Sequence, residues 1–363
     1  MKPDKTTDPS QMFDTLVRNA LDFLERSAEE LEGAPNHSAI DFCTAIELFL
    51  KARLLAEHWT LIYDDLKGAI RNNKANLTKF REGDFVSVSM KDAIPRLREL
   101  VNLNISKEAE TTFVCISQHR NKLIHFFHPT FSQSPNATAI AEVVAEQCRG
   151  WYHLYRLLKA WRSTFEPFSS DIENVQSLML KRRAFLRVRF EACSKSIERL
   201  KAKGIVFVTC WSCGFEAMRR TILVGPFLLA DCLVCETTTQ GVEIKCPACG
   251  ASPSGLIGGV CRTCTTPIIM EEVLKAYAPL QENRSLCGNR NCLEVLQESD
   301  SYTETVVLFD DKWVCLICFA VDDNTWNCSS CGRKVAGESN GLLCFECDMQ
   351  NDYVWPPMFG GIV

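Results

Sequence analysis

The chain has 363 residues, 40 Lys and Arg against 45 Asp and Glu, and a formal charge of −5. That balance gives no global basic field of the kind that holds nucleic acid without selectivity. The longest apolar stretch, Ile222 to Ala230, is far too short to cross a bilayer. The opening MKPDKTTDPS lacks the apolar core of a secretory signal, so a cytoplasmic, reduced protein without membrane contact is expected.

Residues 1–168 carry helical periodicity and are expected to form one all-α bundle. Met12, Leu16, Leu21, Leu24 and Leu31 mark a first helix, and Ala39, Phe42, Ile46, Leu50 and Leu54 a second, separated by Gly33-Ala34-Pro35-Asn36. Shorter segments follow at Thr60–Ala69 and Lys91–Val101. The next helix spans Ser106–Phe127, with Glu108 and Glu110 in its first turn, where carboxylates complement the helix dipole. Pro129 and the polar run Ser132 to Asn136 end it, and a long helix from Ala137 to about Phe165 closes the bundle.

The segment HRNKLIHFFHP, His119 to Pro129, holds three of the six histidines beside Arg120 and Asn121. Arg120 and His125 are about 140° apart around an ideal helix, so they converge only near a disturbed helix end or across two facing copies. His128 reads more readily as a helix C-terminal cap than as a further catalytic group. The pattern R-N-x-x-x-H, preceded by the helix SAIDFCTAIELFLKARLLAEHW, resembles the HEPN superfamily of helical bundles with an R-x4-6-H motif. The resemblance covers roughly residues 10–165.

That resemblance implies metal-independent RNA cleavage in a homodimer, by 2′-OH attack that leaves a 2′,3′-cyclic phosphate. It makes His125 the general base or acid, Arg120 the phosphate ligand and Asn121 an orienting group. Many HEPN-like domains have no nuclease activity and act as nucleotide-binding or dimerisation modules, so a non-enzymatic scaffold or adaptor is the competing expectation. No Walker motif, dinucleotide fingerprint or hydrolase triad occurs.

Residues 169–204 read as a basic amphipathic linker helix, dense in Lys and Arg from Lys181 to Lys203. Beyond it, sixteen of the twenty cysteines form eight close pairs. Seven are C-x2-C: Cys210/Cys213, Cys232/Cys235, Cys246/Cys249, Cys261/Cys264, Cys315/Cys318, Cys328/Cys331 and Cys344/Cys347; Cys287/Cys292 has four intervening residues. Two such turns facing each other supply the all-sulfur tetrahedron that Zn2+ prefers, which predicts four structural zinc sites and no catalytic metal. Gly follows Cys213, Cys249 and Cys331 but not the pair after each, which favours pairing neighbours in order as zinc ribbons; a cross-braced arrangement stays open.

Gaps of 18, 10 and 11 residues in the first eight cysteines answer gaps of 22, 9 and 12 in the second eight. The reading is two β-rich ribbon pairs, 205–268 and 286–350, joined by a helix over 269–285 and followed by a tail at 351–363. Four Zn(Cys)4 centres would add about −8 to the net charge. The second pair is strongly acidic, which disfavours RNA there, whereas Arg219, Arg220, Lys245 and Arg262 leave the first pair a nucleic-acid candidate. The combined expectation is an HEPN-type endoribonuclease of toxin or antiviral defence type, acting on RNA, with the ribbons recognising a protein trigger or inhibitor.

Overall fold

The computed structural model describes residues 9–71, 73–125, 128–131, 136–242, 244–251, 261, 263–267, 284–289, 292, 305–337, 343–345 and 347–348. The chain divides into two compact units, Met1–Ala192 and Cys193–Val363. The expected connecting helix at 269–285 and the tail at 351–363 fall outside the described residues, except that Arg284 and Ser285 belong to a strand and not to that helix.

The first unit is built from helices α1 (Pro9–Glu30), α2 (Pro35–Glu57), α3 (Leu66–Arg71), α4 (Asn73–Glu82), α5 (Met90–Glu99), α6 (Lys107–His125), α7 (Ala137–Ala160), α8 (Arg162–Phe165) and α9 (Ser169–Met179). Helix α10 (Arg183–Lys201) begins in this unit and ends in the next. Pro35 sits in the first turn of α2, where its missing N–H leaves no bond unmade. Helix α2 buries residues all around its circumference, from Phe42 and Ala45 to Phe49 and Leu50, because α1, α5, α6 and α7 surround it. Truncating a side chain such as Phe49, fully buried, would cost about 3–5 kcal/mol.

Helix α7 reaches this centre through Gly150. A Cβ there would stand 2.4 Å from Ile116 Cδ1 on α6 and 2.7 Å from Phe42 Cε1 on α2. The missing side chain therefore sets how closely α6 and α7 approach. The buried Trp151 indole donates to Gln176 Oε1 at 2.9 Å, which satisfies it inside the core.

Two stretches differ from the sequence expectation. Helix α4 was not anticipated, since NKANLTKFRE offers only Leu77 and Phe80 as apolar anchors; Phe80 is nonetheless buried, with ring centroids 5.6 Å from Trp59 and 5.5 Å from Phe85. The stretch 169–204 holds two helices rather than one. Ile172, Val175 and Met179 of α9 lie in the bundle core, and the helix stops before Arg182, whose guanidinium reaches Glu32 and the carbonyls of Ala28 and Glu29.

The second unit is strand-rich. Strands β1 (Val206–Thr209), β2 (Glu216–Val224), β3 (Phe227–Cys232) and β4 (Thr238–Val242) form an antiparallel meander. The same order recurs in β5 (Arg284–Cys287), β6 (Val306–Phe309), β7 (Lys312–Cys315) and β8 (Val321–Asp322). Strands β9 (Thr325–Asn327) and β10 (Lys334–Ala336) extend this second sheet, β10 pairing in parallel with β5. Apolar residues of both meanders share one cluster: Val224, Phe227, Val242 and Ile244 with Val307, Val314, Leu316 and Phe319.

Candidate metal centres and the surface of helix α6

The sixteen paired cysteines converge into four clusters, each made from sequential pairs: Cys210, Cys213, Cys232 and Cys235; Cys246, Cys249, Cys261 and Cys264; Cys287, Cys292, Cys315 and Cys318; and Cys328, Cys331, Cys344 and Cys347. The cross-braced alternative is thereby set aside. The meander explains the first cluster. The β1–β2 and β3–β4 turns lie at one end of the sheet, and each carries a C-x2-C pair. The third cluster repeats this at the ends of β5 and β7.

Sulfurs across each centre stand 3.5 to 3.7 Å apart, as in Cys210···Cys235 at 3.6 Å and Cys246···Cys264 at 3.5 Å. A disulfide needs about 2.05 Å. A tetrahedral ion with metal–sulfur bonds of about 2.3 Å separates its ligands by roughly 3.8 Å. The donor set and its spacing thus fit a thiolate-bound tetrahedral metal.

The knuckles share one backbone form. In six of them the amide of the first cysteine donates to the carbonyl five residues on, and the residue after the second cysteine donates back. That returning residue has positive φ whether it is Gly214, Gly250 and Gly332 or Glu236, Thr265 and Phe319. The glycine alternation therefore does not mark two kinds of turn; three of these six knuckles hold an L-residue in the left-handed region, at a cost of about 1–2 kcal/mol each.

Sequence reasoning missed the groups that surround the sulfurs. The Thr237 hydroxyl lies 3.1 Å from Cys235 Sγ and the Thr266 hydroxyl 3.2 Å from Cys264 Sγ, each able to donate to a thiolate. Thr266 draws the Cys264 thiol down to about 6. The repeated C-x-T after both half-sites, CET and CTT, was the available signal. In the second module Asn289 Nδ2 reaches Cys318 Sγ at 3.7 Å and Arg333 Nε reaches Cys331 Sγ at 3.4 Å. Such donors offset thiolate charge and orient the ligands.

The nucleic-acid candidates of the first ribbon pair are partly engaged. Arg219 faces Asp231 in register on β3 and makes two bonds to its carboxylate, 3.0 and 3.1 Å long. Arg262 lies outside the described residues.

On α6 the last two turns expose Asn121 and His125 and half-bury Arg120. Asn121 and His125 are four apart and share a face. Arg120 Nη1 donates to Asn121 Oδ1 at 3.1 Å, which draws the guanidinium toward that face. Ile124, beside His125, is 47 % exposed.

The other two histidines of the segment face elsewhere. His128 is buried and bonds His119, with 2.7 Å between His128 Nε2 and His119 Nδ1, so the C-cap expectation for it gives way to a side-chain pair. His119 Nε2 meets the Glu146 carboxylate on α7, and Cys115 Sγ lies 3.9 Å from the same nitrogen.

No family model matches the chain, and no significant relative is found among curated proteins or solved structures. Among the described residues no helix is long and apolar enough to cross a membrane.

Proposed function

We propose that the chain is a metal-independent endoribonuclease of HEPN type, acting as a homodimer, with four Zn(Cys)4 ribbons as its recognition module. The observation that carries this reading is the Arg120–Asn121 bond, which turns a guanidinium toward the exposed helix face that Asn121 shares with His125. A second copy facing this end would cover Ile124 and double the functional groups. In the reaction, the 2′-oxygen–phosphorus bond forms as the 2′-OH proton passes to one His125. The phosphorus–5′-oxygen bond breaks as the leaving oxygen takes a proton from the other His125. Arg120 stabilises charge on the non-bridging oxygens.

Zinc is the metal that four thiolates at this spacing select best in a closed tetrahedral site, and its role there is structural. The acidic composition of the second ribbon pair supports a protein rather than an RNA partner for that surface.

Purified full-length protein incubated with single-stranded RNA tests the reading. Expected are fragments ending in 2′,3′-cyclic phosphate and a loss of about 10²-fold or more in rate for His125→Ala with unchanged helix content. Wild type that leaves RNA intact, or His125→Ala that cuts as well as wild type, sinks it. The non-enzymatic adaptor reading would then stand in its place.

A further inference from the structure

We propose a fifth metal site, inside the helical unit, that binds one divalent transition-metal ion through Cys115 Sγ, His119 Nε2 and a Glu146 carboxylate oxygen. These three ligand atoms lie within 4.8 Å of one another. Cys115 and His119 are four apart, so they project from one face of α6, and Glu146 comes from α7 opposite. All three side chains are half-buried, so the cluster is shielded but reachable by an ion. The approach of the two helices is fixed one turn away by Gly150 against Ile116. The site does not depend on the ribonuclease reading, since none of its ligands belongs to the Arg120, Asn121, His125 group.

The donor set is mixed sulfur, nitrogen and oxygen. It suits Zn2+ or Co2+ and has the three-ligand form that leaves a fourth position for water or a small anion. A tetrahedral ion would place Cys115 Sγ and His119 Nε2 roughly 3.5 Å apart, against 3.9 Å here, and would hold His119 Nε2 and the Glu146 oxygen roughly 3.3 Å apart, so this directly bonded pair must open to admit the ion. Arg149, one turn from Glu146, pairs with Glu142 at 2.6 Å.

A metal-bound histidine donates its other ring N–H to an acceptor, and His128 Nε2, 2.7 Å from His119 Nδ1, becomes that acceptor once both rings change tautomer. The Thr130 amide donates to His128 Nδ1 at 3.3 Å, so in the metal-free protein His128 carries its proton on Nε2. That proton is directed at His119 Nδ1, and His119 then carries its own on Nε2, toward Glu146. A metal on His119 Nε2 requires the reverse arrangement: His119 protonated on Nδ1, donating to His128 Nε2, and His128 protonated on Nδ1. Both rings keep one proton, each moved to the other nitrogen, and only the Cys115 thiol proton leaves. The exchange gives up the long Thr130 contact and the His119–Glu146 hydrogen bond, the ion taking the place of the shared proton in the second. His128 stacks between His119 and Phe131, with centroids 5.0 and 5.1 Å away, so its ring is held in place throughout.

The test is titration of the full-length protein with Co2+ or Zn2+, with metal counted after gel filtration. Wild type is expected to hold one ion more than Glu146→Gln or Cys115→Ser, and the extra cobalt should show a mixed-ligand spectrum distinct from the four-thiolate centres. His128→Ala should weaken that ion by about 10- to 100-fold. Should a substitution disturb folding, wild type labelled with 15N-histidine gives an independent answer: saturating zinc must move the proton of both His119 and His128 from Nε2 to Nδ1. Equal metal counts in wild type and well-folded variants, or histidine tautomers unmoved by zinc, overturn the site. Neither result bears on RNA cleavage.

Discussion

Gly225 lies directly against the ring of Phe309: a Cβ on that glycine would stand 2.0 Å from Phe309 Cε1. Gly225 turns the chain between β2 and β3 with φ +49, and Phe309 ends β6 in the second meander. Phe227, two residues on, meets the same ring edge-on at 5.7 Å. Gly225→Ala therefore introduces both overlap and backbone strain, and should destabilise the second unit by about 1–3 kcal/mol. A tryptophan-fluorescence melt of the variant that superimposes on wild type would contradict this packing.

Metal removal should separate the two units. The helical unit has a continuous apolar core from Val17 through Val188, whereas the second unit relies on small clusters, two of which contain the cysteines themselves. Small domains of this kind fold with their metal. A strong thiol-competing chelator is expected to abolish the β signal and protection from protease in the second unit, with the helical far-UV signal retained. Cys249 and Cys331 are the exposed ligands, so the second and fourth centres should empty before the first and third. Cooperative loss of the helices on chelation would refute the division.

The helical bundle was legible because α1, α2, α6 and α7 carry apolar residues at regular helical spacing, and the four-cysteine centres because C-x2-C turns fix two ligands locally. Helix α4 was hidden, since its place depends on Phe80 meeting the Trp59 and Phe85 rings and on no pattern within the segment. The cluster of Cys115, His119 and Glu146 was half visible: Cys115 and His119 share a helical face, but Glu146 comes from another helix, 27 positions beyond His119. Nothing in one sequence says that two faces meet. The glycine alternation led to the correct pairing by a reason that the backbone does not bear out, because Glu236, Thr265 and Phe319 adopt the same positive φ as the glycines.

The hairpin joining β6 and β7 turns through Asp310 and Asp311, both at positive φ, 44 and 64. Two consecutive left-handed residues are the form of a type I′ turn, which favours glycine at its second position. Asp311 is exposed. Asp311→Gly should raise stability by about 0.5–1 kcal/mol and Asp311→Val should lower it by a similar or larger amount. Denaturant midpoints measured with metal present would show both shifts, and an unchanged or lower midpoint for the glycine variant would count against the turn.

Cys43 and Cys148 are buried in the helical core, and burial pushes their thiols up, to about 11 and about 12. At Cys43 the Arg120 charge opposes this effect and Glu47 adds to it. Both groups stay neutral in the folded chain where an unfolded thiol, with its ordinary value of 9.0, has already ionised. Their stabilising contribution is thus complete below pH 9 and is lost as pH rises through the folded values. For Cys43 the loss amounts to roughly 2–3 kcal/mol over that window, since each unit is worth about 1.4 kcal/mol. The melting temperature of the helical unit should fall more steeply above pH 9 in wild type than in Cys43→Ala, even though the variant starts lower from the cavity it leaves. At neutral pH neither thiol should react with iodoacetamide in the native protein, because the thiolate is the nucleophile and is nearly absent. Parallel pH–stability curves for wild type and Cys43→Ala, or prompt alkylation of Cys43 or Cys148, would show that these thiols are not held in the core as described.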